Sequence, residues 1–501
     1  MHRTTKRARR VEARGAHFAG LRWIAACLGL SLAASVADAG RTTRYGGTLQ
    51  LELPLRPADL GGLDPVHLWG DEGAILGACL YEGLTRRGSE LIEPGLAVHW
   101  VHNDDATRWS FTLRTDARFH DGARCDAQAV TESLQRLADP RRSSHRWMLQ
   151  DLIGLADFAA GETQQIEGIH VLSATELELL FTRSVPDLAA RLSLPAAAIS
   201  RVASPPTGTG PFRITLSKPD SLRCAAFEQY ADGRPFLNTV LALPAGRSTA
   251  TKESPILRRI DPTSAMATGV VRTRLPARRL ALALVHPAST ALADPAARRR
   301  IAAEFDAMVF VRAGLAGDGE PAYGLYPDAT TLRSTRTAKP DGPWSPSRRP
   351  LRLVVPAADP TVRKLGERLQ VQLSQLGFEV TFDSRTPEAY VTPLRGSWDV
   401  AVLGWTPPQG HTGLQEPARV LHVLSDLLVP VLGAQLPPAW KDLLEGRTRA
   451  SEAVLMATGY IIPLVFFHDV WQSTDTANPP RPVPFGPHLG LADWHLQPVV
   501  P

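Results

Sequence analysis

The segment from Leu351 to Trp405 limits the fold more than any other part of the chain. Residues 351–356 read LRLVVP, an apolar strand, and Asp359 and Pro360 then supply a helix N-cap and a favoured first helical residue. The helical stripe that follows ends at a glycine and consists of Val362, Leu365, Leu369, Leu373 and Leu376. The pattern predicts a strand that leads directly into an amphipathic helix.

Two further strands follow this helix. Residues 378–382 read FEVTF, and residues 399–405 read DVAVLGW. A strand, a helix and a strand in close succession predict a parallel βαβ crossover of right hand, hence an α/β lobe. Ligands of such sheets bind outside the carboxyl ends of the strands.

The first 39 residues have the pattern of a secretory signal. Basic residues precede an apolar run from Trp23 to Ala34, and Ala37-Asp38-Ala39 forms an A-x-A cleavage site. The run is too short for a permanent membrane anchor, so we expect export to a periplasmic or other extracytoplasmic location. Lipidation at Cys27 ranks second, because the apolar core would then follow the modified cysteine.

Charge and cysteine usage exclude two classes of function. Residues 1–39 hold seven basic and two acidic residues, which leaves 48 of each sign from totals of 55 and 50. A remainder without net charge or a basic patch gives no reason to expect a nucleic-acid partner. Cys79, Cys125 and Cys224 match no zinc or redox spacing, and we expect them to be buried small apolar residues.

A strand, a tight turn and a capped helix follow one another between Asp104 and Pro140. Alternating apolar residues from 109 to 113 predict a half-buried strand, and His120-Asp121-Gly122 supplies turn chemistry. Asp126 then caps a helix that Asp139-Pro140 ends. His120 and Asp121 could be imagined as a catalytic pair, but their place in the turn favours a structural role.

This order resembles the extracytoplasmic solute-binding proteins of ABC importers, specifically the dipeptide, oligopeptide and nickel-binding family, family 5. The stretches that carry the resemblance are FHDG at 119–122, GGTL at 46–49, LDP at 63–65, LYEGL at 80–84 and TGTGPF at 207–212. The similarity is strong over residues 46–243 and 351–405. Between Gly246 and Thr273 the periodicity is lost, and the helix and strand that the family carries there are not recognisable.

The resemblance implies an α/β fold of the periplasmic-binding-protein type II, with two α/β lobes around a cleft and an extra subdomain in the N-terminal half. Lobe I would comprise residues 40–75, 205–285 and 470–501. Lobe II, the subdomain, would comprise 76–204, and lobe III would comprise 286–469. Residues 314–350, rich in Gly, Pro, Thr and Arg, are expected to form a surface loop. The protein is expected to be a monomer.

The resemblance also implies a function, the capture of a small organic solute by cleft closure and its delivery to the permease of an ABC importer. A peptide is one candidate ligand. The ligand-binding residues would be Trp405, which could offer an apolar wall or a platform for a cation, its neighbour Gly404, Trp69 after the LDP turn, and Tyr81. Peptide-binding members place an aspartate shortly after this tryptophan, whereas here the first carboxylate is Glu416. That departure puts peptide specificity in question.

Two other functions stay open. One is a sensory or interaction module that no longer serves transport, and the weaker one is a binder of a chelated metal such as nickel. Neither a catalytic residue, a metal ligand set nor a cofactor motif is recognisable, so we do not expect an enzyme. Gly208 and Gly210 precede a strand rather than a helix, which favours a tight backbone crossing over a phosphate loop.

Overall fold

The structure is a computed structural model. It describes residues 45–385 except for 55, 58–61, 69, 89–90, 144, 204, 252–253, 266–267, 327–349 and 358, together with 398–407, 456–474 and 491. Trp69, Cys27 and the predicted signal peptide lie outside the described residues.

The strands, in chain order, are β1 Thr48–Leu53, β2 Thr85–Arg87, β3 Ile92–Pro94, β4 Ala97–His102, β5 Arg108–Leu113, β6 Ile169–Ser173, β7 Glu176–Leu180, β8 Ser200–Arg201, β9 Thr207–Gly208, β10 Phe212–Lys218, β11 Ser221–Ala226, β12 Thr239–Pro244, β13 Ile256–Ile260, β14 Val271–Val285, β15 Gly319–Pro321, β16 Leu351–Pro356, β17 Val380–Arg385, β18 Val400–Trp405 and β19 Ile461–Ser473. The helices are α1 Gly70–Leu80, α2 Ala127–Ala138, α3 Leu155–Ala160, α4 Leu188–Arg191, α5 Pro295–Glu304, α6 Ala307–Gly314 and α7 Pro360–Gln375.

One large sheet runs through most of these strands. Its order among the described residues is β10-β11-β12-β1-β13-β19-β14-β18-β16-β17, with β15 paired to β19. Each half of the sheet contains parallel pairs. β1 is parallel to β12 and β13 in one half, and β16 is parallel to β17 and β18 in the other. A second sheet, β4-β5-β7-β6, belongs to the N-terminal half. The predicted α/β class is confirmed.

The parallel pairing predicted for the βαβ crossover is also confirmed. α7 begins directly after Asp359, whose Oδ1 accepts a hydrogen bond of 3.0 Å from the backbone N–H of Val362. β16 and β17, on either side of the helix, pair in parallel along their whole length. Because β18 is also parallel to β16, the carboxyl ends of the three strands lie at one edge, next to the first turn of α7.

Three main clusters of buried apolar residues lie within the described part of the chain. The first includes Trp109, Phe111 and Phe119 and extends from Val66 to Ile199. The second joins Leu49, Leu51 and Phe212 to Trp471, and the third packs α7 against the sheet through Leu365 and Leu369, with Phe467 from β19. Separate cores are what a chain of this length requires. The lobe boundaries given above remain predictions.

Two long strands pass from the second cluster to the third. Leu275 of β14 belongs to the second cluster and Ala281 to the third, while Trp471 and Phe467 of β19 divide in the same way. The ladder between the two strands shifts register between Arg274 and Arg278, and Nδ1 of His468 donates a hydrogen bond of 2.8 Å to the carbonyl oxygen of Leu275 in that gap. The strands therefore connect the two cores through an irregular segment.

Two regions that were expected to lack regular structure, residues 246–273 and 314–350, each contain a strand. The stretch from Gly246 to Thr273 contains β13, a strand parallel to β1, although its sequence ILRRI lacks the alternation of a half-buried strand. Its two arginines made the sequence look unlike a buried strand, although the side chain of Arg259 is in fact buried in ion pairs. The stretch expected to be a surface loop contains β15, and Ala322 and Leu325 after it are fully buried.

The glycines at 208 and 210 lie where two segments of backbone meet. A β-carbon at Gly208 would come within 2.0 Å of the carbonyl oxygen of Leu80, and one at Gly210 within 2.5 Å of its carbonyl carbon. The N–H of Gly210 donates to the same oxygen at 3.0 Å. A close crossing that admits only glycine is what the sequence predicted.

Candidate functional site

A cluster of buried charges lies where the two long strands pass between the cores. The side chain of each of its six members is buried, and together they come from five different segments: Asp71 and Glu72 of α1, Arg259 of β13, Arg279 of β14, Asp359 before α7, and Asp469 of β19. We call these residues the ion-pair network. Four carboxyl groups face two guanidinium groups, so full ionisation would leave an excess of two negative charges.

Arg279 is central to the network. Its Nη1 lies 2.6 Å from Asp359 Oδ2 and 3.5 Å from Asp469 Oδ1, and its Nε lies 3.0 Å from Asp71 Oδ2. Its guanidinium carbon also lies 5.9 Å from the centre of the Phe467 ring. The residue thereby joins the first turn of α1 to the first turn of α7.

Arg259 holds the other side of the network. Its Nη1 lies 2.5 Å from Glu72 Oε1 and its Nε lies 3.0 Å from Asp469 Oδ2, while its guanidinium carbon is 5.4 Å from the Trp471 ring centre. Longer ion pairs of 3.8 and 3.9 Å reach Asp359 and Asp71. Buried guanidinium groups require this degree of compensation, because an unpaired charge is costly to bury.

The network divides its carboxyl groups into two kinds. Burial raises the pKa of Asp71 to about 6, an effect that Arg279 only partly offsets and that Glu72 reinforces. Burial also opposes ionisation of Asp359, but Arg279 and Arg259 together hold its pKa below the usual value. Asp359 is therefore the firmly ionised partner, and Asp71 is the one that takes up a proton at mildly acidic pH.

Asp71 also makes the contact that connects the network to the predicted ligand site. Its Oδ2 accepts a hydrogen bond of 2.9 Å from the Oγ1 of Thr406, and its Oδ1 accepts one of 3.3 Å from the Thr406 backbone N–H. Thr406 directly follows Trp405 at the carboxyl end of β18. The first turn of α1, which packs with the second cluster, is thus bonded to the strand edge of the third.

The structure brings two of the four predicted ligand-binding residues to this place. Trp405 is 5 % exposed, and Gly404 packs against the guanidinium of Arg279. Tyr81 lies elsewhere, in the second cluster, and its hydroxyl donates a hydrogen bond of 2.5 Å to the carbonyl oxygen of Leu63. Trp69 falls outside the described residues. A ligand-binding role for these four residues remains a prediction.

Two charged residues within apolar strands are the sequence signal for this network. Asp469 interrupts the apolar run of β19, and Arg279 stands at the start of the apolar half of β14. A charged residue inside a strand that is otherwise buried is evidence for a buried ion pair. The partners themselves could not be read from the sequence, because up to 398 positions separate them, from Asp71 to Asp469.

Three observations concern other expectations. Cys79, Cys125 and Cys224 are buried free thiols. Within the described ranges, no set of three or more His, Cys, Asp or Glu side chains is arranged to hold a metal ion. None of the helices in the same ranges has the length and apolar character needed to cross a membrane.

Comparison with known proteins identifies the family of this chain. Residues 92–414 match the model of the bacterial extracellular solute-binding proteins, family 5 Middle. Among curated proteins, the nickel-binding periplasmic protein of Escherichia coli K12 is 29 % identical over 177 residues, which is 32 % of this chain and 31 % of that protein. The chain thus matches about a third of the length of that relative.

Solved structures show the same fold over nearly the whole chain. The murein tripeptide binding protein MppA of Escherichia coli superimposes with a TM-score of 0.70 at 18 % identity, covering 91 % of this chain and 99 % of MppA. The ABC transporter-associated periplasmic binding protein DppA of Helicobacter pylori, solved with the peptide STSA, gives 0.68 at 17 % identity and covers 91 % and 99 %. These superpositions establish that the chain has the type II periplasmic-binding-protein fold. With the family model matching well over half of its length, the chain belongs to the bacterial extracellular solute-binding proteins, family 5.

Proposed function

We propose that this protein captures a small organic solute on the extracytoplasmic side of the membrane and delivers it to the permease of an ABC importer. The observation that carries the proposal is the pair of strands β14 and β19, each of which runs from the second cluster into the third. We call the parts of the protein built around the second and third clusters its two bodies. Two bodies that are joined by a pair of strands can open and close around a ligand, and a ligand that contacts both bodies stabilises the closed form.

The hydrogen bonds between Asp71 and Thr406 support a ligand site beside Trp405. They are contacts between the two bodies at the carboxyl edge of the parallel strands β16, β17 and β18, the edge at which ligands of such sheets bind. An indole ring at that edge provides a flat apolar wall. A ligand that binds there would replace or extend the contact that Asp71 makes.

The relatives define which solutes should be tested first. One is a nickel-binding protein, one binds a murein tripeptide, and one was solved with the peptide STSA. In this protein no carboxylate follows Trp405 before Glu416. We therefore expect a solute that does not depend on an aspartate at that place. Asp71, which is hydrogen-bonded to Thr406, is a carboxyl group that could serve instead.

Thermal unfolding with a library of di- and tripeptides, amino acids and nickel chelates tests the proposal. A ligand at about a hundredfold over its Kd should stabilise the protein by about 2.7 kcal/mol. We expect Trp405→Ala to abolish this ligand-induced shift. Trp398→Ala is the matched control, since Trp398 is also buried but packs on His286, and it should retain the shift.

Two results would count against the proposal. The first is the absence of any shift across the library, which would favour a sensory or interaction module. The second is an equal shift in the wild-type and Trp405→Ala proteins, which would remove the ligand from the edge of β18.

A further inference from the structure

A cavity of about 230 Å³ lies in the N-terminal half, away from Trp405 and the ion-pair network. One face of α1 forms a wall, and the segment around β2 and the residues near Leu194 form another. Its surface is mainly apolar, and its lining includes Ala74, Ala78, Leu194, Leu491, Glu82 and Arg87. Neither Trp405 nor Gly404 contributes to it, so the site is distinct from the one proposed above.

Glu82 brings an unsatisfied carboxyl oxygen to the cavity. Its Oε1 accepts a hydrogen bond of 3.3 Å from the hydroxyl of Tyr230, whereas its Oε2 is shielded from solvent and has no hydrogen-bond partner among the described residues. Burial raises the pKa of Glu82 to about 7, and the nearby Asp232 acts in the same direction. Arg114 only partly offsets this effect, so the carboxyl group keeps an oxygen that no described residue satisfies.

Arg87 brings an unsatisfied guanidinium group. Its Nε and Nη2 are both shielded from solvent without a hydrogen-bond partner in the part of the chain that the structure describes. Burial lowers the pKa of Arg87 to about 10. The neighbouring Arg86 differs, because it pairs with Glu93 and Asp232 at the surface. Burying a guanidinium without an anion is costly, and the cost is recovered when a carboxylate binds.

We propose that this cavity binds a small zwitterion, with an ammonium group on Glu82, a carboxylate on Arg87 and an apolar chain between them. An apolar cavity with a few polar anchor groups is the usual form of a small-molecule site. At about 30 Å³ for each water-sized group, the cavity has room for roughly eight heavy atoms. That size suits a free amino acid or a linear ω-amino acid and is too small for an oligopeptide.

A series of linear ω-amino acids tests the inference on the full-length protein. Glycine, 4-aminobutanoate and 6-aminohexanoate are titrated by calorimetry, together with butylamine and butanoate, which each carry one of the two charges. We expect at least one zwitterion to bind at least tenfold more tightly than either singly charged compound. Glu82→Gln and Arg87→Met should each weaken that binding at least tenfold, and Trp405→Ala should leave it unchanged. The last result separates this site from the one proposed at β18.

The ligand-free protein gives a second and independent readout. Because Nε and Nη2 of Arg87 have no hydrogen-bond partner among the described residues, Arg87→Met should leave the melting temperature unchanged or raise it. Arg114→Met is the control, since Arg114 pairs with Asp116 and Asp232 at 2.8 Å and its loss should lower the melting temperature. The inference is overturned if no zwitterion binds, if the singly charged compounds bind equally well, or if Arg87→Met destabilises the protein as Arg114→Met does.

Discussion

At the scale of single residues, the close approach of Arg279 to Gly404 is the tightest constraint at the site. A β-carbon at position 404 would lie 2.5 Å from the guanidinium carbon of Arg279. A flexible side chain could normally move away from such a contact. Here the guanidinium is held by Asp71, Asp359 and Asp469, so it has no alternative position that keeps its ion pairs. The glycine before Trp405 is therefore required by packing.

Gly404→Ala should destabilise the protein by about 1–3 kcal/mol, the usual cost of inserting a carbon into a packed interior. Urea unfolding measures the change. Gly77→Ala in α1 is the control, because its nearest neighbour is the end of the Leu68 side chain at 3.3 Å and alanine favours the helix by up to about 1 kcal/mol. Equal stabilities of the two variants would show that Arg279 can move aside.

At the scale of secondary structure, Asp359 makes two separate interactions at the start of α7. Asp359 caps the helix with Oδ1, which accepts from Val362, and pairs with Arg279 through Oδ2 at 2.6 Å. The cap is a local feature, whereas the ion pair depends on a strand 80 positions earlier in the chain. Two substitutions at this one position can separate the two contributions.

Asp359→Asn keeps a capping side chain and loses the charge, whereas Asp359→Ala loses both. We expect the alanine variant to be less stable than the asparagine variant by about 1 kcal/mol, the typical value of an N-cap. Chemical denaturation of both proteins measures the difference. Asp126→Ala at the start of α2 should cost about the same, because Asp126 caps Ala129 at 2.9 Å outside the ion-pair network. Identical stabilities of the two Asp359 variants would contradict a capping role.

The difference between local signals and contacts of distant residues explains which features the sequence could predict. The crossover from β16 to β17 follows from apolar periodicity, a cap and a terminating glycine, all of which are local signals. β13 was missed because Arg259, whose side chain is buried in ion pairs, breaks the alternation on which strand prediction relies. The network was missed because its members come together only in the folded chain. Trp405 could be placed at a strand end from the sequence, but its contact with the Asp71 segment through Thr406 could not.

At the scale of the whole molecule, we expect the ion-pair network to make the connection between the second and third clusters depend on pH. The native pKa of Asp71, about 6, lies above its usual value of 3.8. Between these values the native state binds more protons than the unfolded state, so the stability that this group contributes is complete below about pH 4. It is lost as pH rises through 6. The groups that face Asp71 are Glu72, Arg259, Arg279 and Asp469.

Asp71→Asn removes this titration. Relative to the wild type, the variant should gain about 2–3 kcal/mol between pH 4 and pH 7.5, since each pKa unit corresponds to about 1.4 kcal/mol. Unfolding curves of both proteins at several pH values test this, with Asp318→Asn as the control. Asp318 pairs with Arg274 at the surface, and its variant should keep a constant difference from the wild type. A difference between wild type and Asp71→Asn that does not vary with pH would contradict the assignment.

The position of β19 in the sheet sets the order in which the chain can fold. This strand spans Ile461–Ser473 and hydrogen-bonds to β13, β14 and β15. Neither the second nor the third core can be completed before it has been synthesised, since it supplies Trp471 to one and Phe467 to the other. The first core, with contacts confined to residues 66–199, has no such delay. The nascent chain should therefore carry one early domain and a long unfolded remainder until β19 is made. The two later cores depend on non-local pairings and should form slowly.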